Sequence, residues 1–472
     1  MSFSSLEFLF IFLPAFMLLY GLSPKKIKNL TIAVGSIVFY CWGFYLIDVK
    51  SPFYIGIYTG LLIMAAMFSY IIGQFIQEYR RSRRFWLCFG IIINFLWLIF
   101  FKYLTFGTEN INAIFGTDIT VKRLILPIGI SFYTFQNVSY ITDVYREKST
   151  PERSFINYFA YTAMFPQLIQ GPIVRYRTVS AKLRNRTHSI KKVETGLRYF
   201  TIGLGYKVLI ADQIGGIWHD ISMIGFESIS TPLAWLGIVG YSLQLYFDFC
   251  GYSLMAVGLG KLMGFELPKN FDYPYMSLTM TEFWRRWHMT LGTWFKDYVY
   301  IPLGGNRKGK LRMVLNMLVV WLFTGIWHGA SWNFVIWGLL LFVIIMTEKL
   351  AIGNFLNKYK LFGHLWMILL IPLTWLVFAV SDMEQLAIYF KKLIPFAEYK
   401  YDFVFKEDYL KYWKIYRLYF IAGIIFSTRL PKRIYKKLRH TPFMAFILLA
   451  VFWISVYCIY KGANDPFMYF TF

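Results

Sequence analysis

Long apolar stretches alternate with short charged ones along the whole chain. The apolar runs are residues 6–20, 30–47, 53–76, 85–106, 124–144, 197–214, 232–262, 313–346, 365–380, 416–427 and 443–460. A helix needs about 20 apolar residues to cross the roughly 30 Å hydrocarbon layer, and shorter runs fit by tilting or re-entering. The pattern predicts an all-α, multi-pass membrane protein, with one membrane-embedded domain over 1–472 and roughly ten to thirteen membrane segments. The run 6–20 has no basic region before it and ends at Gly21-Leu22-Ser23-Pro24-Lys25-Lys26. It therefore reads as the first transmembrane helix rather than a cleavable signal.

Three stretches depart from plain spans. Residues 155–176 carry Phe165-Pro166-Gln167-Leu168-Ile169-Gln170-Gly171-Pro172. Proline removes a backbone donor and glycine frees the backbone, so the helix should break there, shielded by protein. Residues 283–303 are too charged to face lipid and too aromatic for a solvated loop, which predicts re-entrant or interfacial helices. The run 313–346 would measure about 50 Å as one helix. It should break at Thr324-Gly325 or at Gly329-Ala330-Ser331.

Composition agrees with a membrane bundle: 57% of residues are hydrophobic, 21% aromatic and 16% charged. The net charge of +24 would suggest nucleic acid on a soluble protein. Here the basic residues lie between apolar runs, at 22–29, 77–84, 145–154, 173–192, 305–312 and 429–440, as cytoplasmic loops do. Nucleic acid is thus not an expected partner; anionic membrane lipids are. Loop 107–120 carries Glu109 and Asp118 and falls outside, so both termini, including the tail 462–472, are expected on the extracytoplasmic face of the cell membrane. The four cysteines (Cys41, Cys88, Cys250, Cys458) lack metal spacing and read as buried free thiols.

Two histidines stand out, each beside a tryptophan: His288 in Phe283-Trp284-Arg285-Arg286-Trp287-His288, and His328 in Ile326-Trp327-His328-Gly329. A histidine in apolar surroundings stays neutral, and a neutral imidazole accepts a proton. Two accounts of His328 are open: a core histidine bonded to a neighbouring helix, or a general base acting on a hydroxyl that attacks an acyl carbon. For His288, the adjacent Arg285 and Arg286 should depress its pKa and could bind donor phosphates, or the tryptophans and arginines could anchor an interfacial helix. Metal ligation is not expected, since the two histidines are forty residues apart without companions. The other histidines, His188, His219, His364 and His440, fall in loops or at span ends.

Several motifs resemble the membrane-bound O-acyltransferase family. They are Tyr246-Phe247-Asp248-Phe249-Cys250-Gly251-Tyr252-Ser253, Pro268-Lys269-Asn270-Phe271, Thr281 through His288, Ile301 through Arg307, and Trp327-His328-Gly329-Ala330-Ser331-Trp332-Asn333. Pro127 to Phe132 and Gln170-Gly171-Pro172-Ile173 extend the likeness upstream. The run Pro302-Leu303-Gly304-Gly305-Asn306-Arg307 and the tail Pro466 to Phe472 resemble the bacterial alginate O-acetyltransferase branch. Leu254, after Cys250-Gly251-Tyr252-Ser253, is closer to the D-alanyl transferases of teichoic acid.

The resemblance implies a helical bundle around a central conduit. His328 and His288 would be catalytic, with Trp284, Arg285, Arg286 and Trp287 as donor-binding candidates and Gln170, Trp327 and Asn333 along the conduit. A cytoplasmic donor, acetyl-CoA or a carrier-protein thioester, would supply the acyl group. Tyr469 would relay it to an extracytoplasmic serine-esterase-like partner and then to an exported polysaccharide. D-alanyl transfer to teichoic acid is the alternative within this class; outside it stand a polysaccharide-export transporter, or a structural subunit with packed histidines.

Overall fold

The computed structural model describes residues 2–46, 49, 51–121, 124–395 and 404–462, and the regular structure among them is helical. The helices are α1 (Leu13–Leu22), α2 (Lys28–Leu46), α3 (Pro52–Glu78), α4 (Arg83–Phe115), α5 (Ile130–Tyr145), α6 (Phe155–Thr162), α7 (Phe165–Leu168) and α8 (Tyr176–Arg184). There follow α9 (Ile190–Gly205), α10 (Asp212–Ile224), α11 (Thr231–Leu262), α12 (Met280–Arg286), α13 (Met289–Phe295), α14 (Lys310–His328) and α15 (Trp332–Thr347). The last are α16 (Gly353–Lys358), α17 (Lys360–Ala379), α18 (Met383–Lys392), α19 (Asp408–Phe426), α20 (Leu430–Leu438) and α21 (Pro442–Tyr460).

Seven helices among the described residues are long and apolar enough to cross a membrane: α3, α4, α11, α14, Trp332–Lys358, α17 and α21. The chain is a multi-pass helical membrane protein. Several expected spans fold instead as shorter or more polar helices. The run at 124–144 becomes the 16-residue α5, which is buried almost throughout.

The predicted breaks have mixed outcomes. At 155–176 the chain is helical only over α6 and the four-residue α7 before α8. Residues 283–303 fold as the end of α12, the whole of the short helix α13 and a π-helical turn, Lys296–Tyr300. The over-long run breaks after His328, whereas Thr324-Gly325 stays helical. Loop 107–120 is corrected: α4 continues to Phe115 and stops at Gly116, whose φ of 64° suits a residue without a Cβ. The cysteine expectation fails for Cys88, which is exposed on α4; only Cys250 is fully buried.

Two compact units divide the chain, Met1–Phe200 with Tyr252–Lys269 and Thr201–Gly251 with Asn270–Phe472. In the first, buried amides tie helices together. Asn94 on α4 donates to Ser69 of α3 (3.1 Å), and Asn137 on α5 donates to the Ala65 carbonyl (3.2 Å) and accepts from Tyr158 of α6 (2.8 Å). Such bonds matter in an apolar bundle, where a polar group has no water to fall back on.

In the second unit α14 and α15 form a close hairpin. A Cβ on Gly325 would lie 2.3 Å from the Phe334 carbonyl oxygen, and one on Gly338 would lie 2.5 Å from that of Trp321. Glycine at both positions lets the two backbones approach, as small residues do between membrane helices.

Candidate active site

His328 is the last residue of α14, at the turn of that hairpin, and is only 7% exposed. Its ring packs edge-on against Trp337 (centroids 5.1 Å), Phe378 (5.3 Å) and Trp327 (4.8 Å). The Phe378 side of this cage is tied down by Asn333 near the start of α15. Its amide donates to the Val377 and Phe378 carbonyls (3.2 and 3.1 Å), among the last carbonyls of α17, which have no partner within the helix.

His288 reaches the same place from the bend between α12 and α13. Its backbone is left-handed (φ 42°, ψ 51°), a conformation that costs a non-glycine residue roughly 1–3 kcal/mol. Two backbone bonds brace the bend: Asp272 N–H to Arg286 O and Met289 N–H to Asn270 O, both 2.9 Å. The His288 imidazole lies 6.4 Å from Trp327, so both histidines pack on one indole. Phe249 of α11 closes edge-on against His288 at 4.7 Å.

Hydrogen bonding sets the tautomer of His288. Asn270 Oδ1 accepts from the Thr290 backbone N–H (3.2 Å) and faces His288 Nδ1 at 3.1 Å. A backbone N–H only donates, so the atom it meets is the amide oxygen, and Nδ1 must carry the proton. Nε2 is then the basic nitrogen, buried with no hydrogen-bond partner among the described residues. His288 lies outside the membrane-spanning helices, and burial pushes its pKa down to about 3. The expected depression is present, but desolvation causes it rather than the neighbouring arginines.

Trp284 and Trp287 pack into an aromatic cluster. Trp287 is 1% exposed and packs on Trp375 at 4.9 Å, while Trp284 packs on Trp321 at 5.1 Å. Arg286 pairs with Glu282 one turn earlier on α12, and Arg285 is exposed. Gln170 is buried in the first compact unit. Tyr469 lies outside the described residues. His188, His219, His364 and His440 are exposed.

Three supports of this site were not named as site residues from the sequence, although Asn270 and Asp248 stand inside the motifs that carry the resemblance. Asn270 is the first. The second is Glu348, 3% exposed, in the π-helical turn after α15. Its carboxylate accepts from the backbone N–H groups of Met280 (2.6 Å) and Thr281 (3.0 Å) and from Trp366 Nε1 (3.1 Å). It thereby caps α12, which leads to His288, from the far end of α15, the helix that follows His328 in the hairpin. The third is Lys207, fully buried, which bridges Asp212 and Asp248, the latter at 2.7 Å. Asp248 immediately precedes Phe249, the residue against His288. Charged residues within the apolar runs 197–214 and 232–262 were the available signal.

Comparison with known proteins bears on this arrangement. Residues 36–383 match the membrane-bound O-acyltransferase family. The chain is 39% identical over 392 residues to the probable alginate O-acetylase AlgI of Azotobacter vinelandii, covering 81% of this chain and 76% of that protein. It is 34% identical over 417 residues to the peptidoglycan O-acetyltransferase of Helicobacter pylori, covering 80% and 77%. It is 31% identical over 250 residues to the teichoic acid D-alanyltransferase of Bacillus subtilis, covering 50% and 62%.

Proposed function

The chain belongs to the membrane-bound O-acyltransferase family, and from that premise we propose that it carries acetyl groups across the cell membrane for O-acetylation of an exported polysaccharide. One observation supports a catalytic centre above all. Two buried histidines from different elements pack on the same indole, and one of them is locked with its basic nitrogen unbonded. A merely packed pair has no need of that arrangement.

In this reading a thioester donor, acetyl-CoA or a carrier-bound acyl group, enters from the cytoplasmic side through a conduit reaching His328. His328 takes the proton of an attacking hydroxyl as its oxygen bonds to the acyl carbon. The carbon–sulfur bond breaks, and the leaving thiolate receives that proton. His288, held neutral, offers Nε2 as a second acceptor beside it. Arg285 remains accessible to donor phosphates, whereas Arg286 is engaged with Glu282. With both termini extracytoplasmic, Tyr469 is the hydroxyl that passes the acyl group to a serine-esterase-like partner. The likeness to a peptidoglycan O-acetyltransferase and to alginate O-acetylases favours acetyl transfer to a glycan. The shorter match to a D-alanyltransferase keeps D-alanyl transfer as the second reading.

The test is mass spectrometry of surface polysaccharide from a deletion strain complemented with wild type or Tyr469→Phe. Acetyl esters should be lost in the deletion and restored only by wild type. D-alanyl esters lost in their place would establish the second reading, and full acetylation with Tyr469→Phe would remove the relay role.

A further inference from the structure

A second cluster of chemistry lies in the first compact unit, built by segments far apart in sequence. Tyr20 on α1 is its centre. Lys28 Nζ lies 4.6 Å from the Tyr20 ring centroid, the Arg186 guanidinium 5.8 Å away, and the His188 ring 5.7 Å away. Arg186 also stacks on Phe265 at 4.8 Å. The tyrosine hydroxyl is committed to the Met263 carbonyl at 2.7 Å, so the ring is fixed.

The charges are all of one sign. Lys28 and Arg186 repel each other, and both act with Lys192 on His188, whose side chain is exposed at its edge and whose pKa falls through partial desolvation first and these cations second. Among the described residues, none of Lys28, Arg186, His188 and Lys192 forms a salt bridge with a carboxylate. Arg186 Nη1 is buried and makes no hydrogen bond. A guanidinium stacked on aromatic rings keeps its N–H edge for a planar or tetrahedral anion. Two helices also begin here, α2 at Lys28 and α9 at Ile190, each with the positive end of its dipole toward the cluster. Like charges are held together against repulsion with an unbonded donor among them; the arrangement lacks only an anion.

We propose that Tyr20, Lys28, Arg186, His188 and Lys192 form a binding site for a phosphate group. The proposal is independent of the acyl-transfer reading. The phosphate belongs either to an anionic phospholipid headgroup or to a soluble phosphate ester.

The full chain in detergent is titrated with coenzyme A, with inorganic pyrophosphate, and with phosphatidylglycerol against phosphatidylcholine, and binding is followed by thermal shift and native mass spectrometry. The expected result is saturable binding of a phosphate-bearing probe, weakened about tenfold or more in Arg186→Gln, as loss of a charge-assisted bond would do. Binding of the soluble probes identifies a soluble ester as the occupant, and binding of phosphatidylglycerol alone identifies a lipid. Should Arg186→Gln misfold, Lys192→Gln removes a charge from the exposed rim and should weaken binding in the same direction. No saturable binding, or equal binding by wild type and a folded variant, overturns the proposal.

Discussion

Two buried polar centres in this protein are built in opposite ways. In the first compact unit, Glu152 is saturated. Its carboxylate accepts from the backbone N–H groups of Arg153 (2.9 Å) and Ser154 (3.1 Å), from Tyr176 and from Arg184 (3.4 Å). In the second unit, His288 is bonded on one nitrogen only and otherwise walled by rings. A saturated carboxylate ties loops and helices together and has nothing left for a substrate. An imidazole with its lone pair exposed to an apolar cage costs stability and gains reactivity. Both groups are 2% exposed, so what separates them is the acceptor left without a hydrogen bond at His288 and not at Glu152.

The largest break in that comparison should come from His328→Ala. Acyl transfer is expected to fall by about 10²–10⁴-fold, the range for losing a general base, with membrane abundance near wild type. Loss of abundance in proportion to activity would make His328 a packing residue. Glu348→Ala should do the reverse. It removes the acceptor of two buried backbone donors, and about 3 kcal/mol of stability should go with it. Activity per folded molecule should then fall less than abundance, as read by unfolding in detergent and by specific activity.

Asn270→Ala tests the lock itself. Without the amide oxygen both tautomers of His288 become accessible, and kcat should drop about 10–100-fold, as when other orienting partners of histidine are removed. Asn270→Asp restores an acceptor for Nδ1–H and should recover most of the loss.

The sequence made the helical class legible because membrane spans must satisfy their backbone internally, so hydropathy alone marks them. The break after His328 was legible too, since 34 apolar residues exceed the bilayer and Gly329 offers a stop. Position within the run could not tell it from Thr324-Gly325, because the close approach of Gly325 to α15 is a tertiary contact that the run itself does not display. Both histidines could be picked out as ionisable groups in an apolar context. Their meeting on Trp327 could not, as it depends on the left-handed turn at His288 and on Glu348 capping α12 from 68 residues away. The tryptophans around His288 could not be placed from the sequence for a physical reason: aromatic belts and aromatic cores have the same composition, and only burial separates them.

Acidity sharpens the comparison last, because the two centres respond in different windows. Burial holds the His288 pKa near 3 in the folded protein, against about 6.5 in an unfolded chain. Between those values the unfolded state binds a proton that the folded state refuses, so stability falls as pH falls, by about 1.4 kcal/mol per unit from this group. Glu152 acts lower down. Burial pushes its pKa up, but Tyr176, the Ser154 N–H and Arg184 outweigh that and leave it below 4.5. Its contribution is therefore intact above that pH and is lost only beneath it. Unfolding of wild type and His288→Gln in detergent, compared between pH 6.5 and 5, should diverge by about 2 kcal/mol, wild type losing more. The corresponding comparison for Glu152→Gln should be flat over that interval. Parallel curves for wild type and His288→Gln would mean that the imidazole is not held neutral, and the open base at the centre of the site would have to be given up.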